Sequence, residues 1–350
     1  MKKTLIALAA LAAAGATLAQ SSVTIYGRLD LGMNQITTTT GTPAGVQTTT
    51  VDDFSLAGAQ DRSTGSRLGF RGTEDLGGGL RAGFQYEIGI NADRDGNSGA
   101  GQTRLANLSL SGGFGTVVVG TFLNAFDTAR GFMPDTEGVP GGNFSQFGLS
   151  RTLGADISQF DGRSQNAIAY VSPAFNGFTA SVGMVREDTL GQDANGFIIG
   201  LGFNQGPVRA QFAFGDMNVD TTAGINVVDL RNWALGASYN FGPAVVSFVY
   251  EDTRNSRGTG ITDAHSWEIG ARFPMGAFAP YVTFGQGELV TGVGADRVVN
   301  DTKSWQIGTT YNLSARTWVY AAIGESQRDH TNGALRTRND GYAIGLVHTF

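Results

Sequence analysis

The sequence predicts an all-β fold, a 16-stranded antiparallel transmembrane β-barrel. Three observations carry that expectation. One strand pattern recurs as RNWALGASYNF (231–241), HSWEIGARF (265–273) and KSWQIGTTYNL (303–313). In each copy alternate residues are apolar: Trp233, Leu235, Ala237, Tyr239 and Phe241 share one face, and Asn232, Ala234, Gly236, Ser238 and Asn240 the other. That period of two is the signature of a strand with unlike faces. The second observation is the placing of aromatic rings at both ends of the apolar face. From Trp233 to Phe241 is ~26 Å of strand, or ~20 Å at a 40° tilt, the height of a lipid band between two aromatic girdles. The opposite face, rich in Asn, Ser, Gln, Gly, Glu and Arg, fits a water-filled lumen. The third is the count: sixteen strands is an even number, leaves an aqueous channel, and lets the first strand close on the last.

Taken in order, residues 1–19 (MKKTLIALAALAAAGATLA) have two lysines, a short apolar run and an A-x-A-like end, which predicts a removed secretory signal and a mature single domain at 20–350. No later apolar run approaches the ~20 residues of a spanning helix. The strands are expected at about 22–34, 65–75, 80–90, 104–112 and 115–124, then at 164–173, 177–188, 196–205 and 208–218. The repeating hairpins supply 231–241, 244–254, 265–274, 278–289, 303–313, 316–327 and 340–350. Looser copies of the pattern start at Phe197 and Tyr342, so lead aromatics fall at 197, 233, 267, 305 and 342. Short links such as Gly242-Pro243 alternate with longer polar ones such as 254–264. The Thr-rich stretch 37–50 reads as a surface loop. Val117-Val118-Val119 marks a strand apolar on both faces, and 125–163 is the longest strand-free stretch, a length usually tied to function.

Composition agrees. Gly is 52 of 350 residues and Pro only 8, without a triplet repeat, which suits many strands and tight turns. There is no Cys, so an exported chain does without disulfides. The formal charge is −6, or −8 once Lys2 and Lys3 are removed, which argues against nucleic-acid binding.

Alternation also orients the charged residues. Val23, Ile25, Leu29 and Leu31 face lipid, so Arg28 and Asp30 face the lumen; the same parity puts Arg67, Arg71, Arg81, Gln85 and Glu87 inside. Arg104 is not placed, because Leu105, Ala106, Asn107 and Leu108 break the pattern.

SVTIYGRLDLG (22–32), SRLGFRGTEDLGGGLRAGFQYE (66–87), TRLANLSLSGGFGTVVVG (103–120) and the final GYAIGLVHTF resemble the general, non-specific trimeric porins of Gram-negative outer membranes, most closely the betaproteobacterial branch. The resemblance runs from Ser21 to Phe350. It implies that the long loop folds into the barrel and narrows it, with Asp127, Asp135 and Glu137 on the acidic side of a constriction. On composition alone that stretch also reads as a solvated surface loop. The resemblance matches Arg28, Arg67, Arg104 and Arg163 to the basic side. Asp30 departs from the family pattern and is placed to neutralise part of Arg28; each Arg taken singly also reads as a rim residue paired with a loop carboxylate. The family further implies a homotrimer through the first five strands and the last, with loop 91–103 latching onto a neighbour. Phe350, with Tyr342, Ile344, Leu346 and His348 on its face, is similar to the signal read by the barrel-assembly machinery.

The expected function is passive diffusion of ions and small hydrophilic solutes, with four arginines against three carboxylates tilting weakly toward anions. Opposed charges across a gap favour small polar solutes over apolar ones. No cofactor, metal site or catalytic residue is expected: His265, His330 and His348 are scattered and form no nucleophile–base or ligand pattern. The rivals are a substrate-specific channel of anion or sugar type on the same barrel, and a non-conducting adhesin barrel. Most Trp and Tyr face outward, Tyr26 excepted, which argues against a sugar slide.

Overall fold

The computed structural model describes residues 22–42, 45–55, 66–90, 101, 103–133, 162–189, 192–221, 227–255, 261–291, 298–330 and 336–350. The expected signal at 1–19, most of loop 91–103, and the part of the long loop that carries Asp135 and Glu137 lie outside the described residues.

The chain is a closed antiparallel barrel. Its strands are β1 (Ser22–Thr42), β2 (Gly45–Ser55), β3 (Arg67–Gly77), β4 (Leu80–Gly89), β5 (Thr103–Gly112) and β6 (Gly115–Leu123). A short helix α1 (Ala125–Arg130) follows. Then come β7 (Arg163–Val171), β8 (Phe178–Thr189), β9 (Gln192–Gln205), β10 (Val208–Thr221) and β11 (Val227–Asn240). The last are β12 (Val245–Asn255), β13 (Ile261–Arg272), β14 (Phe278–Thr291), β15 (Val298–Asn312), β16 (Thr317–His330) and β17 (Arg336–Thr349). Each strand from β3 to β17 pairs with its sequence neighbour, and β17 closes on β1 from Arg28↔Thr349 to Gly41↔Arg336. Gly27 and Phe350 exchange backbone hydrogen bonds at the end of that seam. Closure leaves no open edge to lipid.

Seventeen segments make sixteen staves. β1 carries β3 beside its first half (Ser22–Arg28) and β2 beside its second (Gly32–Thr42), so β2 and β3 lie end to end as one stave. This corrects the expectation of a surface loop at 37–50, because 37–42 and 45–50 are strand. Thr37, Thr38 and Thr39 pair with Thr50, Thr49 and Thr48, and the Thr37 and Thr50 hydroxyls lie 3.2 Å apart. β-Branched Thr suits an extended chain, and Thr–Thr pairs across strands are stabilising. The stretch lacks an apolar face, so its sequence carries no alternation to read.

Outside, the repeat motif forms the two girdles. Trp233 stacks on Tyr250 at 4.8 Å and Trp267 lies 5.7 Å from Phe284 at one level; Phe178–Phe203 at 4.6 Å and Tyr239–Phe241 at 4.4 Å mark the other. Ile199, Leu201, Ile269 and Ile307 are exposed between them. The turn between β3 and β4 is Gly77-Gly78-Gly79, all at positive φ, a conformation that side chains disfavour. Buried hydrophobic residues gather inside the barrel rather than between layers. One cluster unites Phe122, Phe126, Ala129, Ile198, Ala213 and Ala234, and another unites Tyr281, Tyr320, Ala343 and Val347.

Candidate constriction site

After β6 the chain turns into the lumen instead of outward. Asn124 caps the turn: its side chain accepts from the Phe126 N–H at 3.0 Å, satisfying a helix donor that the short α1 would otherwise leave orphaned. Its own N–H and side-chain amide reach Gly162 and Ser164 on the returning limb, so both ends of the long loop are tied together. Phe126 and Ala129 are wholly buried against the inner faces of β9 to β11. Burying a Phe is worth about 1.5–3 kcal/mol, enough to fix so short a helix on the wall. This explains the inner of the two apolar faces of the Val117–Val119 strand: Val118 points inward and packs on that cluster. The lumen is therefore not uniformly polar, as the repeat motifs alone had implied. Beneath the helix it is lined by Ala167, Ala169, Ala213, Gly200 and Gly236, small residues that make room for it.

At the far end of α1, Arg130 is buried to 2% exposure. Its Nε donates to Glu251 Oε2 on β12 at 2.9 Å, and its Nη2 donates to Oε1 of the same carboxylate. Asn232 Nδ2 on β11 donates to Oε1 at 2.9 Å. Sequence reasoning missed this anchor. Glu251 is visible as an inward residue of its strand, but nothing local points to a partner 121 positions earlier.

The basic wall lies across the lumen from the helix, since β10 is the ninth of sixteen staves counted from β1. Arg28 and Arg67 are directly opposed in register on β1 and β3. Arg28 is 5% exposed, pairs with Asp30 at 3.1 Å and sits 5.7 Å from the Trp318 ring. Asp30 in turn accepts from Tyr320 Oη at 3.2 Å, and its backbone N–H donates to Ser66 Oγ. The neutralisation expected of Asp30 is thus a formed contact, and it turns Arg28 into the wall more than into the channel. Glu87 collects the next two arginines, Arg104 Nε at 2.7 Å and Arg67 Nε at 3.7 Å, and accepts from Tyr26 Oη at 3.1 Å. Tyr26 lies flat across Gly69, where any Cβ would strike its ring.

Arg104 resisted alternation for a definite reason. Between Glu87↔Leu105 and Ile88↔Thr103 the register slips by one, a β-bulge at Arg104 that breaks the alternation and re-aims its side chain at Glu87. Arg163 stands opposite Leu123 at the start of β7, within electrostatic range of Arg104. Asp127 occupies the first turn of α1 against Gly162, beside Arg163 in sequence. Arg71 and Arg81 face the lumen nearer the short-turn end, Arg71 over the Tyr26 ring at 5.1 Å and Arg81 opposite Asp75 and Ser111. Among the described residues the inward Tyr and Trp beyond Tyr26 are Tyr281, Trp318 and Tyr320; Tyr281 and Tyr320 are buried in the wall and offer no exposed slide for a sugar.

A barrel with a helix seated in its lumen opposite an arginine wall has clear relatives. The family model for Gram-negative porins matches residues 4–331. This chain belongs to the Gram-negative porins. It is similar to outer membrane porin protein 32 of Delftia acidovorans, with 35% identity over 92% of this chain and 89% of that protein. It is also similar to the major outer membrane protein P.IB of Neisseria lactamica, with 28% identity over the full length of both. Among solved structures it resembles an anion-selective porin from Comamonas acidovorans, with a TM-score of 0.73 and 26% identity over 95% of this chain and 100% of that one. The porin resides in the outer membrane, where its strands cross the bilayer and its lumen is a channel.

Proposed function

We propose that this porin, matured to residues 20–350 by loss of 1–19, passes ions and small hydrophilic solutes passively and prefers anions by a narrow margin. One observation carries the sign: the lumen lining holds Arg28, Arg67 and Arg104 across from α1 and Arg163 at its foot, against Asp30 and Glu87, an excess of two positive charges before Asp127 and the rest of the loop are counted. Arg suits this role because it stays charged at all working pH values and offers planar donors to anions. The printed description of the Comamonas relative, an anion-selective porin, supports the same sign. Asp127, with Asp135 and Glu137 on the rest of the loop, is the opposing acidic side. We read the protein as a channel without catalytic residues, cofactor or metal, assembled as a homotrimer. Phe350, whose ring lies against Gly27 at the seam, is the proposed contact for the barrel-assembly machinery.

The test is refolded 20–350 in a planar bilayer under a tenfold KCl gradient. An anion-permeable reversal potential, with steps arriving in threes, supports the reading. A cation-permeable one would hand control to Asp127, Asp135 and Glu137, and a folded barrel without conductance would revive the adhesin.

A further inference from the structure

The arginines at the height of α1 are already engaged: Arg28 with Asp30, and Arg67 and Arg104 with Glu87. Arg71 is different. It is exposed to the lumen, and among the described residues no carboxylate pairs with it; its one close partner is the Tyr26 ring. That ring is held from behind, because Gln85 Nε2 donates to Tyr26 Oη at 2.7 Å and Tyr26 donates onward to Glu87. A guanidinium held over a ring keeps the N–H donors in its own plane for an acceptor.

Arg71 also faces a cavity of about 270 Å³ whose lining includes Thr24, Thr73, Gln85, Asn107 and Ser109, and contains no acidic residue. Register confirms that these positions share one face: Thr24, Gln85 and Asn107 stand in line with Arg71 across β1, β3, β4 and β5, and Thr73 and Ser109 flank Gly83. Gly83 keeps the floor open, since a Cβ there would come within 2.6 Å of Ser109 Oγ. Arg71 is four residues from Arg67 toward the short-turn end, ~13 Å along the strand or ~10 Å along the channel at a ~40° tilt, and on its periplasmic side.

The geometry points to a second anion site here: a pocket for a small oxyanion such as inorganic phosphate, held by Arg71 with hydroxyl donors from Thr24, Thr73 and Ser109. The inference rests on the channel reading of the lumen and deepens it. An anion leaving the shared charge of Arg67 and Arg104 passes next to an uncompensated one, where oxyanions dwell longer than chloride because they accept several hydrogen bonds at once.

Inorganic phosphate is the probe, added to the periplasmic side of single wild-type channels in KCl at pH 7. The expected result is a saturating fall in current with phosphate concentration. Arg71→Gln should weaken that response at least about tenfold, the loss of one charge-assisted hydrogen bond. Gly83→Val, which fills the pocket without changing charge, should weaken it too. Arg209→Gln removes a lumen-facing charge from the opposite wall at the same end and should leave it intact. A wild-type channel without saturation, an Arg71→Gln response equal to wild type, or equal losses in the Arg71 and Arg209 variants would each overturn the site. The reversal potential in the same bilayers reports the anion reading separately. Cation preference with an Arg71-dependent phosphate response would sink that reading and keep the pocket.

Discussion

Arg130 and Glu251 join the constriction helix to the barrel wall through two parallel hydrogen bonds, with Asn232 holding the carboxylate from the side. Both partners are nearly sealed from solvent. A buried pair of this kind adds little net stability over an apolar substitute, yet removing one partner strands the other. It is better understood as a locator: it specifies where the end of α1 sits on β11 and β12, and so how far the loop intrudes.

Glu251→Gln leaves the buried Arg130 charge without its counter-ion, at a cost of ~3–5 kcal/mol. The barrel has sixteen staves to hold it, whereas α1 has under two turns, so the helix and not the barrel yields. Single-channel records should show a broadened spread of conductance levels and more open-channel noise. The heat-resistant migration of the folded barrel on gels should not change. Adding Arg130→Met removes the stranded charge and should narrow the spread again. A Glu251→Gln channel as quiet as wild type would show that the pair does not locate the helix.

Gly236 is the steric counterpart. A side chain there would run into the Ala129 carbonyl and the Phe132 ring. Gly236→Val should displace α1 at a cost of about 1–3 kcal/mol and shift conductance to a new value. Gly113→Ala, with nothing nearby to strike, should behave as wild type. Equal conductance in all three would mean that the helix does not set the bore.

What was legible in the sequence followed from parity. Arg28, Arg67, Arg71, Arg81 and Glu87 could be assigned to the lumen because Val23, Ile25, Leu68 and Phe84 alternate with them, and the paired registers keep that parity. Arg104 was lost to a bulge, which inserts one residue and leaves no compositional trace. The Thr arm of β1 and β2 was lost because Thr occupies both faces, and period two is invisible without contrast. Arg130 was lost for a third reason: its meaning depends on a partner 121 residues away, and only tertiary structure brings β12 to the helix. Its neighbour Phe126 sits in a stretch read only as a long strand-free loop, where one short apolar turn was too brief to register as a helix.

Glu87 is the balancing charge of the basic wall, and its removal gives a signed prediction. Glu87→Gln keeps a hydrogen-bonding side chain for Arg104 and Tyr26 while deleting one negative charge beside two guanidiniums. For an anion ~6 Å away in water-like surroundings, one unit charge is worth about 0.7 kcal/mol, or about threefold in occupancy. Chloride-to-potassium permeability, taken from reversal potentials, should rise by that order. A fall, or no change, would mean that Glu87 does not feel the permeating ion.

Salt separates the two electrostatic devices of this porin. The arginine wall acts on ions across water, and its reach shrinks as the Debye length falls from ~10 Å at 0.1 M to ~3 Å at 1 M. Anion preference measured at a fixed tenfold gradient should therefore decline when both compartments are raised in KCl. The Arg130–Glu251 pair is shielded from solvent, and buried pairs are screened far less. The spread of wild-type conductance levels, scaled to bulk conductivity, should then stay constant over the same range. If selectivity held at high salt while the levels broadened, the roles given to the two charge groups would be reversed.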